Sequence, residues 1–222
     1  TPASGRHPLP APRAFAAFLA RWGWEPGLRI VAYDAQGGAM ASRLWWLMRY
    51  FGHDCVSLLD GGFGAWRAAN LPLEHGAMEP RTAEPGELHP RRDMVLDAAA
   101  VQSGLEDGSL LLLDARAADR FAGRNETLDA VAGHVPGAVS APFGANLEEG
   151  HFRSAAVLRE RFSSLVGATA PERVVHMCGS GVTACHNLFA MEQAGLGGSR
   201  LYAGSWSEWI RDPNRPVAGA ED

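Results

Sequence analysis

The sequence predicts an α/β fold, in which a mostly parallel sheet carries helices on both faces, written one and a half times along 222 residues. Three observations carry that expectation. Short β-type runs alternate with apolar stretches of helical spacing. The connections between them are short, which suits strands running the same way with helices packed back across the sheet. The chain also repeats itself at long range. Shifted by 144 residues, Asp34 falls on Cys178, Gly37 on Gly181, Ala41 on Cys185 and Leu44 on Leu188. A shift of 143 then places Gly52 on Gly195, Gly61 on Gly204, Phe63 on Trp206 and Trp66 on Trp209. So long a period marks duplication of a domain, not an array of short repeats.

The elements follow in order. Helical spacing covers Arg13–Trp22, a β-type run covers Leu28–Tyr33, and a loop of small residues leads from Asp34 into a helix over Met40–Phe51. After Gly52 a short strand runs to Asp60-Gly61-Gly62-Phe63, with Trp66 beyond. The stretch Leu71–Arg92 holds four prolines and little periodicity, so it reads as a linker. The second copy opens with a helix over Ala98–Leu105, for which Asp97 is the N-cap. The strand Leu110–Asp114, the turn Asp114-Ala115-Arg116 and a helix to Phe121 come next. A helix over Ala155–Leu165, a strand over Val174–His176, a helix over Val182–Ala194 stopped by Gly195, and a strand over Ser199–Tyr202 complete it.

The expected division is therefore residues 1–75 for the later part of a first domain, 76–92 for the linker and 93–222 for a whole second domain. Cys178 lies 64 residues after Asp114, whereas only 33 residues precede Asp34. The first copy has no room for the corresponding front half. Its sheet is expected to be incomplete, with exposed apolar edges.

Composition narrows the function. A net charge of −5 argues against a nucleic-acid partner, which would want a basic surface. No apolar run approaches the ~20 residues needed to span a bilayer, so no membrane partner is expected. Three scattered cysteines make no disulfide framework and point to a reducing, cytoplasmic setting. Cys178, Cys185 and His186 contain no Cys-x-x-Cys, so neither a metal nor another cofactor is expected.

The segment from Val174 to Asn187 carries the chemistry. A β-branched run ends in Cys178, a loop of small residues follows, and an apolar helix begins. That order puts the thiol at the carboxyl end of a strand, where amides of a Gly-rich turn and a helix N-terminus converge and favour the thiolate. No charged side chain lies between Cys178 and Ala184, so main-chain dipoles have to do this. A cysteine that merely packs is the commoner case. Two glycines and the strand–loop–helix order tip the balance towards a nucleophile. A Cys-x5-Arg phosphatase loop is excluded, because position 184 is alanine.

At this point the residues resemble a known family. Leu113-Asp114-Ala115-Arg116, Arg120-Phe121-x-Gly123, Gly133-His134-Val135-Pro136-Gly137-Ala138, the loop Cys178–Thr183, the stretch Leu201–Trp209 and Asp60-Gly61-Gly62-Phe63-x-x-Trp66 are similar to rhodanese-type sulfurtransferases. The likeness is to their two-domain 3-mercaptopyruvate branch. It implies rhodanese-like domains, a catalytic second domain, and a first domain whose cysteine is replaced, here by Asp34. It further implies that Cys178 takes sulfur from a small donor as a persulfide and passes it to a thiol such as thioredoxin, or to cyanide. A neutral loop suits the monoanion mercaptopyruvate better than the dianion thiosulfate, which remains the alternative donor; a non-catalytic rhodanese-like binding module is the other alternative for a chain with so short a first copy.

The roles implied are these. Amides from Gly179 through Gly181, Val182 and Thr183 hold the sulfur. Ser180 matches a position associated with proton transfer, although turn chemistry alone could explain it. Arg116, just past a strand end, is the expected clamp for a carboxylate, against a structural ion pair with a residue such as Asp119. Arg120 is a second clamp or a buried ion pair. The Glu-Pro-Arg arginine of some members is replaced here by Glu126-Thr127-Leu128-Asp129. His7, in Arg6-His7-Pro8, resembles a histidine lent to the site by the first domain. His134 is expected to bond backbone at a turn, Cys55 and Cys185 to pack, and Trp45, Trp46, Trp66, Trp206 and Trp209 to fill cores.

Overall fold

The computed structural model describes residues 4–76, 79 and 81–219. It forms two compact units, Leu9–Arg92 and, discontinuously, Thr1–Pro8 with Asp93–Asp222. This division differs from the one the sequence suggests at both of its joints. The first residues belong with the second copy, where the Arg6 amide donates to Ser207 Oγ at 3.0 Å. The Pro-rich stretch belongs with the first copy. Its Ala83 amide donates to the Ala20 carbonyl, its Arg91 amide to that of Tyr50, and the Arg91 side chain forms two bonds of 2.7 and 2.8 Å to Asp54. Low periodicity marks a chain without regular structure, not a chain without contacts. Within that stretch Ala77, Met78 and Pro80 lie outside the described residues.

Leu9–Arg92 contains α1 (Pro12–Ala20), β1 (Ile30–Ala32), α2 (Ala41–Tyr50), β2 (Val56–Leu58) and α3 (Gly62–Ala68). β1 and β2 pair in parallel, Ile30 opposite Val56. Among the described residues this sheet has two strands. Trp45, Trp46 and Met48 of α2 are buried, whereas Val31, Tyr33 and Phe63 lie between 39% and 58% exposed.

The second unit holds β3 (Val95–Leu96), α4 (Ala98–Glu106), β4 (Leu111–Asp114), α5 (Ala118–Phe121), β5 (Val139–Ser140), β6 (Leu147–Glu148), β7 (His151–Phe152), α6 (Ala155–Val166), β8 (Val174–Met177), α7 (Ala184–Gln193), β9 (Arg200–Tyr202) and α8 (Ser205–Trp209). Five of these strands form one parallel sheet in the order β3-β9-β8-β4-β5, and β6 and β7 make a separate hairpin. Side chains of β8 alternate between faces, as strand geometry requires. Val175 and Met177 meet Val101 of α4 and Trp206 and Trp209 of α8. On the other face Val174 joins Leu158 and Phe162 of α6 and Ala190 and Met191 of α7. Helices thus cover both faces.

Local signals set the ends. Asp97 caps α4 by accepting the Ala100 amide at 2.8 Å, and Ser154 caps α6 through the Val157 amide. Gly195, at φ +70°, ends α7 while the Leu196 amide turns back to Met191. α7 starts at Ala184, two residues later than its apolar pattern suggests, because Val182 and Thr183 finish the preceding loop. β3, β5 and the hairpin are two residues each, too short for any period to register.

Candidate active site

β4 and β8 lie side by side, with Asp114 paired to Met177, so their carboxyl ends open on one edge of the sheet. Cys178 leaves β8 there and is 2% exposed. The loop bends back over its sulfur at Gly181, whose φ is +77° and where a Cβ would stand 2.4 Å from the Ala203 carbonyl oxygen. Only glycine fits both the conformation and the space. The turn presents two amides to Sγ, from Gly181 at 3.1 Å and Ser180 at 3.5 Å. They supply the dipoles that a thiolate needs. Val182 and Thr183 open α7, their carbonyls accepting from Cys185 and His186.

Gly179 is a glycine for another reason. A side chain there would begin 3.0 Å from Nη2 of Arg6 and 3.7 Å from both terminal nitrogens of Arg120. Two guanidinium groups therefore flank the loop just past the sulfur. Arg120 grips Glu126 with bonds of 2.8 and 2.9 Å and reaches Asp129 at 3.2 Å. Arg6 bonds the other oxygen of Asp129 through Nη1. Burial pushes the Glu126 carboxyl up, but Arg120 and the Leu128 and Asp129 amides together hold it below its ordinary value. The acidic residues that replace the expected second arginine thus orient Arg120 and Arg6. Arg6 belongs to no motif in the sequence. Its only signal is position, next to His7, and that segment reaches the site by packing rather than by any motif.

His7 places Nδ1 at 2.8 Å from Ser180 Oγ, so histidine, serine and the cysteine loop form one line of contact. Arg116 lies elsewhere, contrary to the expectation of a carboxylate clamp. Its side chain is 1% exposed, and Nε and Nη2 hold the Asp114 carboxylate at 2.9 and 2.7 Å. Nη2 also reaches the Gly133 carbonyl, and the guanidinium lies 4.6 Å from the Trp206 ring. Its partner is Asp114 and not Asp119. Asp119 bonds the Asn125 side chain instead, at 2.8 Å. A strand-end arginine looks the same in sequence whether it turns outward or in. His134 stacks on Phe121 and brings Nδ1 to 2.9 Å from its carbonyl oxygen, a backbone bond at a turn. Cys185 is fully buried, its thiol 3.4 Å from the Gly181 carbonyl, and Cys55 is exposed.

The first copy repeats the loop with a different occupant. Asp34 stands at the end of β1, and its carboxylate accepts the amides of Gln36, Gly38, Met40 and Ala41 at 2.8 to 2.9 Å. Burial raises this carboxyl, yet the four amides prevail and hold it below the ordinary range. Both copies therefore build a nest of amides, round the Asp34 carboxylate in one and round the Cys178 sulfur in the other.

Comparison with known proteins finds relatives over most of the chain. A rhodanese-like domain profile matches residues 1–69 and 97–212. A Pseudomonas aeruginosa protein named "Probable 3-mercaptopyruvate sulfurtransferase" is 49% identical over 219 residues, covering 97% of this chain and 76% of its own length. The human 3-mercaptopyruvate sulfurtransferase is 39% identical over 210 residues, covering 91% of this chain and 69% of its own. Among solved structures, 3-mercaptopyruvate sulfurtransferase from Leishmania major superposes with a TM-score of 0.83 at 34% identity. That likeness covers 96% of this chain but only 60% of the Leishmania chain.

Proposed function

The chain belongs to the rhodanese-like domain family, and on that footing we propose that it moves sulfur from 3-mercaptopyruvate, through a persulfide on Cys178, to a thiol or to cyanide. The observation that carries the reading is a cysteine sulfur under two amides with two arginines beside it.

In the first half-reaction the Cys178 thiolate attacks the donor's sulfur. The sulfur–sulfur bond forms, the carbon–sulfur bond breaks, and its electron pair remains on carbon as the enolate of pyruvate. That carbon then takes a proton, which the Ser180 hydroxyl is placed to deliver while His7 Nδ1 resupplies it. Arg6 and Arg120 face Gly179 and receive the substrate carboxylate. In the second half-reaction the acceptor attacks the outer sulfur, and the pair from the broken sulfur–sulfur bond returns to Cys178. No outside oxidant is needed, because the donor's own carbon keeps the electron pair that the transferred sulfur gives up. A small thiol, a thioredoxin-type dithiol or cyanide fits this step, and a reducing cytoplasm would keep Cys55, Cys178 and Cys185 as free thiols.

The test uses both donors. With mercaptopyruvate and cyanide the protein is expected to release thiocyanate and pyruvate faster than it releases thiocyanate from thiosulfate. Mass spectrometry after donor alone should find one added sulfur atom on the peptide bearing Cys178. Cys178→Ser should abolish both, and Cys185→Ser and Cys55→Ser should leave most of each. Faster turnover of thiosulfate would replace the donor assigned here, and an adduct on another cysteine would overturn the mechanism.

A further inference from the structure

Ser205 holds a backbone conformation that serine rarely takes, φ +54°, and is fully buried. Its hydroxyl lies directly behind the reactive cysteine. Oγ accepts the Cys178 amide at 3.1 Å and donates to the Tyr202 carbonyl at 2.9 Å. The next two residues continue the contact through backbone. The Trp206 amide donates to the Cys178 carbonyl at 3.0 Å, and the Ser207 amide to the Gly179 carbonyl at 2.9 Å. Three successive residues at the start of α8 thus hold the first two residues of the loop. Ser205 is the member that does so with a side chain.

The duplication supplies the comparison. Gly62 occupies the matching place 143 residues earlier, with φ +58°, and the Phe63 amide bonds the Asp34 carbonyl at 3.2 Å. The backbone grip is the same, but a Cβ on Gly62 would stand 2.1 Å from the Asp34 carbonyl oxygen. Where the strand ends in aspartate, the position is a glycine with no room for more. Where it ends in cysteine, the position is a strained serine whose hydroxyl takes the cysteine's own amide. Glycine would serve the turn in both copies. The strain is kept only behind the thiol, and strain retained at a site asks for a role there.

We propose that Ser205 is a positioning residue for Cys178, resting on the sulfur-transfer reading above. Its hydroxyl pins the Cys178 peptide so that Sγ stays beneath the Ser180 and Gly181 amides as charge and then a second sulfur build on it.

Ser205→Gly removes the hydroxyl and relieves the strain together, and Ser205→Ala removes the hydroxyl alone. Both variants are expected to lower kcat for mercaptopyruvate about tenfold, the worth of one hydrogen bond, and to leave KM within about twofold because the arginines are untouched. Thermal stability should separate the two, Ser205→Ala melting below Ser205→Gly. Activity then follows the hydroxyl, and stability follows the backbone. Alkylation of Cys178 by iodoacetamide needs no donor and should slow severalfold in both variants. A Ser205→Gly protein that turns over and alkylates like the wild type overturns the proposal, as does a loss of kcat no larger than its loss of folded protein. A wild type that takes sulfur from neither donor sinks the sulfur-transfer reading instead, while the alkylation rates still decide the role of Ser205.

Discussion

Arg6, Arg116 and Arg120 share three carboxylates, Asp114, Glu126 and Asp129, but the sharing is uneven. Arg116 is spent wholly on the interior, with Glu126 at 3.6 Å beyond its bonds to Asp114. Arg116→Ala would strand a fully buried Asp114 charge and should cost about 3–5 kcal/mol of stability, read by urea denaturation. Its KM for mercaptopyruvate, measured on the folded fraction, should stay near that of the wild type. Arg120→Lys should do the opposite, raising KM about tenfold at nearly unchanged stability, since a lysine cannot hold Glu126 and a substrate carboxylate at once. A KM that rises with Arg116→Ala and not with Arg120→Lys would return the clamp to the strand end. At this scale Cys178, Ser180 and His7 are legible from their neighbours in sequence. Arg6 and the inward turn of Arg116 are not, because both depend on what packs against them from far along the chain.

Among the elements, the two nests show what a strand–loop–helix segment specifies. Small residues and a glycine of positive φ, Gly37 at +65° and Gly181 at +77°, shape the loop in both copies, so its existence can be read from sequence. Its contents follow from the residue at the strand end. Asp34→Ala would leave four amides without their acceptor and should destabilise Leu9–Arg92 by about 1–3 kcal/mol. Asp34→Asn should lose part of that and also its acid sensitivity. The sign follows from the lowered carboxyl: its stabilisation is complete above the ordinary aspartate range and fades as pH falls through the lower folded value. Hydrogen exchange of the Gln36, Gly38, Met40 and Ala41 amides at pH 7 and near pH 3 reads this directly. Equal protection at both would refute it. The two-residue strands and the β6–β7 hairpin escape sequence reading for the reason given by their length, since pairing partners define them and periodicity does not.

For the whole molecule, the buried imidazole of His176 sets the response to acid. Burial, helped by the Arg161 charge, lowers it to about 3, and Nε2 rests 3.2 Å from Met191 Sδ in the sheet–helix interface. Between pH 6.5 and that value the unfolded chain binds a proton that the folded chain refuses. Stability should therefore fall by about 1.4 kcal/mol per unit as pH drops below 6, before the carboxylates begin to act. Denaturation at pH 7, 6 and 5 should show that slope in the wild type and lose most of it in His176→Leu. The architecture at this scale is legible because a duplication announces it twice. The partition of the chain into units is not, because a terminal segment and a Pro-rich stretch each choose their side by contacts that leave no pattern. The duplication also divides permanence from turnover. A carboxylate tethered to its own loop cannot be diluted, dialysed or exchanged for a buffer ion, so the nest at Asp34 is loaded for the life of the protein. If Cys178 carries sulfur as proposed, its nest fills and empties with every cycle, and any solute that favours a filled nest will act on that half of the chain alone.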